Sequence, residues 1–575
     1  MPLLNTNSSS YRVPILLTSL TTRTLCLLGL LSILICLNIY FVCAIVLPSF
    51  TSTQPSPPLE PPSQPYIPPY YGVPSQRIPL SQRKFTSQAI DDYLHHKSKT
   101  MTDKDLVTLL NNCFPNTLDT TIEWYDLDFP HTFLITGDIP AMWIRDSTNQ
   151  ILPYLPFANQ DDRLKALILG VLKTQAEYLY YDPYANAFLR PWYATAMVQD
   201  KAAPLHGRIR DRVIPQYDSQ YVWESKYELD SLAHFFQLGN DYIKATGDTS
   251  GVFGNILWIK TVRRIFQVIH DQQKGTWETE QQQQQQKYVR PTKPPHPLAS
   301  NVTHARRRDA PLPLPLAQGY RFTRMTDRPT ETLGANGLGG VSKRCGLVKS
   351  AFRPSDDATT FPYLIPANAH LSAQLKKLSQ HIRTTTTLVA HDNTALHDIA
   401  TEAQFLGDTI HQAIYTHAIV HHPTYGEILA YEIDCYGGYL LMDDANTPSL
   451  LSLPLLGFIN DDDALYQRTR RFILSPANPW YFSGTFGHGV GGPHTGYAMI
   501  WPISLLVQIQ TATDEDEVRQ CLDTLKQLAM VTNGWMVESF HKDHPDAFTR
   551  PWFSWANGLL GATLASVDLR FPHLL

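Results

Sequence analysis

Residues 161–181 read DDRLKALILGVLKTQAEYLYY. Leu164, Leu167, Ile168, Val171 and Leu172 recur at the three- and four-residue spacing that places them on one face of a helix. Lys226–Thr246 reads as a second helix, stopped by Gly247. Thr513 followed by Asp514, Glu515 and Asp516 reads as an N-terminal cap with acids in the first turn. Further helices are expected around 102–113, 255–271, 366–383, 395–420, 461–474, 496–511 and 553–567. Strand-like alternation is scarce. Ten or more helices without a parallel-strand pattern predict a large all-α domain from about residue 84 onward.

Composition narrows the function classes. The chain has 575 residues, with 47 Lys and Arg against 52 Asp and Glu. No basic excess supports a nucleic-acid partner, and Arg306–Arg308, a basic cluster, lies in low-complexity sequence. Hydrophobic residues at 43% and aromatic residues at 11% suffice for a large core.

Ahead of the domain, Leu25–Leu47 holds no charged residue over 23 positions. At ~1.5 Å per residue such a helix spans a hydrocarbon layer of ~30 Å, and it exceeds the ~7–15 residues of a signal-peptide core. Arg12 and Arg23 precede it, whereas the first basic residue after it is Arg77. The positive-inside rule then gives a cytoplasmic tail (1–24), a signal anchor (25–47) and everything beyond on the lumenal side. Residues 48–83, rich in Pro, Ser, Thr and Gln, read as a stem. The expected location is a single-pass type II membrane protein of the secretory pathway.

Within 84–575, residues 275–333 interrupt the helical pattern. They contain Gln281–Gln286, a proline cluster and Arg306–Arg308, and are expected to form a disordered surface insertion. Asn301-Val302-Thr303 inside it is a glycosylation sequon. Cys113, Cys345, Cys435 and Cys521 would face an oxidising lumen, where three pairings are possible.

Polar residues concentrate in six loops: TGDIPAMWIRDS (136–147), VWESKYELDS (222–231), FRPSDDATTFPYLIPAN (352–368), YEIDCYGGYLLMDDANTPS (431–449), SGTFGHGVGGPHT (483–495) and ESFHKDHPDAFTRPWFSWANG (538–558). Carboxylates beside aromatics suit a neutral polyhydroxylated ligand. Hydroxyls take charged acceptors and Arg donors, while the apolar face of a sugar ring stacks on Trp or Tyr. Other signals are weaker. Gly487, Gly489 and Gly492 fit a dinucleotide fingerprint, but no βαβ unit surrounds them. His488 and His494 lack the spacing of a metal site. Asp461–Asp463 has the acidic spacing of metal-dependent glycosyltransferases, yet heads a helix, where capping explains it.

At these six loops the chain resembles the glycoside hydrolase family 125 exo-α-1,6-mannosidases. TGDIPAMWIRDS, KYELDSL, FRPSDD, LMDDANTPSLLSLP, the GPHT loop and ESFHKDHP with WFSWANG match in order over roughly residues 100–570. Ser225, where an Arg is expected, and Cys435-Tyr436, in place of a Gly-containing turn, depart from the pattern. The resemblance implies an (α/α)6 toroid with its active site on one face, an inverting mechanism, no metal or other cofactor, and removal of terminal α-1,6-linked mannose from N-glycans or mannan. It implies that the general acid lies in Arg353–Asp357, with Asp356 favoured over Asp357, and that Glu538 is the general base. Two adjacent acids would raise one pKa by like-charge repulsion and keep a proton available. Asp138, Arg145, Asp146, Lys226, Arg353, Asp357, Asp444, His494 and Trp555 are the candidates for binding the terminal mannose. The alternatives are a type II glycosyltransferase using Asp461–Asp463 and a mannose-binding protein without catalysis; an intact Asp356 and Glu538 count against the second.

Overall fold

Helix α1 (Gln88–Thr100) leads into six pairs, each an outer helix followed by an inner one. They are α2 (Lys104–Cys113) with α3 (Ile144–Ile151), α4 (Asp162–Tyr181) with α5 (Leu229–Thr246), and α6 (Ile256–Gln272) with α7 (Ile365–Leu388). The second half comprises α8 (Thr394–His417) with α9 (Leu453–Leu456), α10 (Ala464–Ile473) with α11 (Pro502–Thr511), and α12 (Glu515–Val531) with α13 (Ser554–Arg570). The inner helices touch in a closed circuit, α3–α5–α7–α9–α11–α13 and back to α3. This is an (α/α)6 toroid. The computed structural model describes residues 72–197, 211–279, 313, 319–388 and 394–575.

Local chemistry sets the helix ends. The Asp161 carboxylate accepts from the Arg163 and Leu164 N–H groups and opens α4, whose expected face of Leu164, Leu167, Ile168, Val171 and Leu172 is buried. Gly247, at φ 71°, closes α5 in the left-handed conformation that glycine adopts without strain. Helix α5 begins at Leu229 rather than Lys226 because residues 222–224 form a strand. Asp514, not Thr513, caps α12, accepting from the Asp516 N–H. Asp463 caps α10 through the Leu465 and Tyr466 N–H groups.

Among the inner helices, α3 is buried almost throughout, and it shows what that does to a sequence. Seven of its eight residues are buried, among them Arg145, Asp146, Ser147, Thr148 and Gln150. Gln175 of α4 donates to the Ile144 carbonyl, Ser147 Oγ and Thr148 Oγ1, so these polar groups stay bonded. Next to α3 in the circuit, α13 lies so close to the end of α2 that a Cβ at Gly561 would stand 2.1 Å from the Phe114 ring.

Three antiparallel sheets of very short strands, absent from the all-α expectation, occupy the loops that lead into inner helices. They join 142–143, 187–188 and 222–224; 363–364, 432–433 and 439–440; and 499–500, 539–541 and 548–549. Strands of two or three residues are too short to show a period of two.

The expected insertion is corrected at its C-terminal end. Arg321–Arg324 pairs antiparallel with Asp211–Ile214. Tyr320, Phe322 and Leu333 are buried, and the Tyr320 hydroxyl accepts from the Tyr227 N–H and donates to the Ser225 carbonyl. Residues 319–333 therefore brace the 222–228 loop. Of the four cysteines, Cys345 and Cys435 form a disulfide, while Cys113 and Cys521 are buried thiols. The expected anchor 25–47 and the sequon at Asn301 lie outside the described residues; among those described, no helix is long and apolar enough to cross a membrane.

Candidate active site

All six polar loops lead into an inner helix, so the ring gathers them at one end. There they surround a pocket lined by Arg145, Asp146, Asp356, His494, Glu538, Arg550 and the aromatic side chains of Trp143, Trp501, Phe553 and Trp555. Acids and guanidinium groups thus sit among aromatic walls, as a sugar ring requires.

On one side, Arg145 sits in the first turn of α3 and is only 3% exposed. Its guanidinium lies 2.6 Å from Glu228, 3.2 Å from Asp230, 3.6 Å from Asp146 and 3.5 Å from Asp356. Burial pushes Asp146 and Asp230 up to about 6 despite that cation. Glu228 stands well above the usual range, because burial and the charges of Asp356 and Asp230 outweigh Arg145.

Asp356 adopts a left-handed φ of 67°, which costs a non-glycine residue free energy. That turn separates the two adjacent acids. The Asp356 side chain is 26% exposed in the pocket, whereas that of Asp357 is 1% exposed and faces His494 at 3.7 Å. The expected like-charge pair of Asp356 with Asp357 is corrected here. Burial pushes Asp356 up, but Lys226, Arg145, a hydrogen bond from Glu228, and His494 together hold it well below the carboxylate range. Asp357 instead raises its imidazole partner. Burial disfavours the charged His494, yet the Asp357 hydrogen bond and charge lift it to about 9.

Opposite, Glu538 is anchored by its own N–H, which donates to the Thr549 and Arg550 carbonyls. Its carboxylate is 3.4 Å from Arg550 Nη1. Arg550 also donates from Nε to Asp138 at 3.0 Å, tying the 136–147 loop to the 538–558 loop. The structure thus brings together Arg145, Asp146, Asp356, His494, Glu538 and Trp555 at the pocket, as the six loops led one to expect.

Five other expected mannose-binding residues are not among the residues that line it. Arg353 is turned to Glu432, its Nε donating to Oε1 at 2.6 Å, and so pins the 352–358 loop. Asp444 accepts from Ser355 Oγ at 2.6 Å and is 1% exposed. The Asp138 carboxylate is taken up by Arg550, Asp357 is buried against His494, and Lys226 Nζ donates to the Asp356 carbonyl at 2.9 Å. These groups hold the acids that do face the cavity.

Glu228, Asp230 and Arg550 belong to the site in addition to the residues the sequence points to. KYELDSL signals the first two, since it puts two acids on either side of a helix start. Arg550, between Thr549 and Pro551, carries no local signal of its own.

The chain matches the family model of the metal-independent α-mannosidases (GH125) over residues 103–565. It is 42% identical over 507 residues to the meiotically up-regulated gene 157 protein of Schizosaccharomyces pombe, covering 88% of this chain and 90% of that one. Its structure is similar to that of a Streptococcus pneumoniae metal-independent α-mannosidase solved as a non-productive complex with α-1,6-mannobiose. That similarity has a TM-score of 0.69 at 32% identity and covers 85% of this chain and all of the other. With the toroid, the polar pocket and the matched span in agreement, the chain belongs to the metal-independent α-mannosidases of glycoside hydrolase family 125.

Proposed function

We propose that this α-mannosidase is an inverting exo-enzyme that removes terminal α-1,6-linked mannose from N-glycans or mannan. The observation that carries the reading is that Asp356 and Glu538, far apart in the chain, line the same small pocket. In this reading Asp356 gives a proton to the leaving oxygen, while Glu538 takes one from the water that attacks C1. Arg145, Asp146, His494 and Trp555 bind the mannose. The α-1,6 preference rests on similarity to the Streptococcus pneumoniae enzyme solved with that disaccharide.

Incubation with α-1,6-, α-1,2- and α-1,3-linked mannobiose tests the linkage. The first should be cleaved fastest, and proton NMR should show β-mannose before mutarotation. Initial release of α-mannose would overturn inversion, and faster cleavage of another linkage would overturn the α-1,6 preference.

The proposed setting is the secretory lumen, behind a signal anchor at 25–47. The uncharged run after Arg12 and Arg23 supports it, as does the Cys345–Cys435 disulfide, since disulfides persist in oxidising compartments. Residues 84–575 should resist added protease in sealed microsomes and be digested once detergent opens them. Digestion before detergent would overturn this topology.

A further inference from the structure

A general acid must carry a proton, yet Asp356 is surrounded by cations. Lys226 holds its backbone carbonyl at 2.9 Å, Arg145 stands 3.5 Å from its carboxylate, and His494 adds a third positive charge. Beside them lies a second carboxyl, Glu228. It immediately precedes α5, is 1% exposed, and shares a hydrogen bond with Asp356. Asn186 Nδ2 donates to its Oε1 at 3.1 Å, and Ser231 Oγ and Arg145 hold its Oε2 at 3.1 and 2.6 Å. Both carboxyls are thus gripped by the same guanidinium, with one buried and the other open to the pocket.

We propose that Glu228 and Asp356 share a single proton, and that Glu228 is the positioning residue that supplies it to Asp356 for delivery to the leaving oxygen. The inference rests on the reading of Asp356 as the acid. In the empty site the proton resides on Glu228, whose burial disfavours charge, and Asp356 carries the negative charge that Lys226, Arg145 and His494 compensate. A sugar filling the pocket strips water from the part-exposed Asp356 and favours transfer of the proton to it. As the glycosidic C–O bond breaks, Asp356 passes that proton to the departing oxygen. Glu538 takes a proton from the attacking water as the new C–O bond forms. Glu538 then releases its proton to solvent, and the Glu228–Asp356 pair regains one. The charged and titratable groups around the pair are Arg145 and Asp146 on α3, Glu224 at the end of the 222–224 strand and Lys226 just after it, Asp230 and His234 on α5, and His494 on its loop.

The test is Glu228→Gln in the full chain, with α-1,6-mannobiose and α-mannosyl fluoride as paired substrates. Fluoride leaves without an acid. Mannobiose turnover should fall about 10²-fold or more, the scale of general-acid help, while the fluoride loses less than about tenfold. The alkaline limb of the mannobiose pH profile should move to lower pH, because Asp356 alone cannot keep a proton beside three cations. Equal losses on both substrates, or an unmoved limb, would overturn the proposal. If the variant does not fold, wild-type protein carrying 13C at the Glu side-chain carboxyl decides it. One glutamic acid should remain protonated at neutral pH, and its absence would overturn the pair. Release of β-mannose by the wild type and the Asp356→Asn assay test the underlying reading separately. If those hold and Glu228→Gln behaves structurally, only the pair is lost.

Discussion

Asp356→Asn should cut hydrolysis of α-1,6-mannobiose by about 10²–10⁴-fold, the usual contribution of a general acid, while sparing α-mannosyl fluoride. The mannose alkoxide leaving from mannobiose needs a proton as the bond breaks, and Asn has none to give. Glu538→Gln should depress both substrates alike, because water must be activated whichever group leaves. Asp357→Asn discriminates between the adjacent acids. Asp357 lies 3.7 Å from His494 and does not line the pocket, so its loss should lower the His494 pKa from about 9 and weaken both substrates together. If Asp357→Asn shows the leaving-group dependence and Asp356→Asn does not, the acid is Asp357. If neither shows it, the acid lies outside the FRPSDD loop.

Apart from α3 and the four-residue α9, the helices of the ring were legible in the sequence. Helix α4 has one apolar stripe and one solvated face, and that contrast is what a periodicity search detects. Helix α3 has no such contrast. IRDSTNQI is buried almost throughout, with its polar side chains bonded to neighbouring elements or aimed at the pocket, so it reads as a loop. Residues 319–333 failed for another reason. RFTR is a four-residue strand next to low-complexity sequence, and its partner, Asp211–Ile214, lies more than a hundred positions away. No local pattern records that pairing.

The site shows the same division. Loops rich in acids and aromatics announced the pocket, because all six of them lead into inner helices of one ring. Which acid faces the ligand was not written there. Asp356 and Asp357 are chemically equal in sequence, and only the left-handed turn at Asp356 gives one to the cavity and the other to His494. Arg353 and Asp444 looked like sugar contacts for the reason that buried ion pairs and ligand-binding groups use the same residue types. Glu432 and Ser355, which claim them, are distant in the chain.

Arg145→Met should destabilise the fold by about 3–5 kcal/mol near neutral pH, the cost of stripping a buried cation from its carboxylates. Glu228, Asp230, Asp146 and Asp356 all lie within 3.6 Å of this one guanidinium, and methionine fills its volume without its charge. The loss should depend on pH with a definite sign. Asp146 and Asp230 stand at about 6 in the folded chain, against roughly 3.9 for an unfolded Asp. A raised folded pKa means that the native state binds protons more tightly. The stability these two groups contribute is therefore full below about pH 4 and lost as pH rises through about 6. Without Arg145 both pKa values climb further, and the window extends upward. The deficit relative to wild type, read from unfolding midpoints, should shrink on acidification from about pH 7.5 to about pH 5, where the orphaned carboxyls take up protons. A deficit that stays constant over that range would show that Arg145 stabilises by packing, not by charge. Arg145→Lys separates the two roles. It keeps the cation and should recover much of the stability, but its single ammonium cannot span Glu228, Asp230 and Asp356 as the fork does, so turnover should stay low.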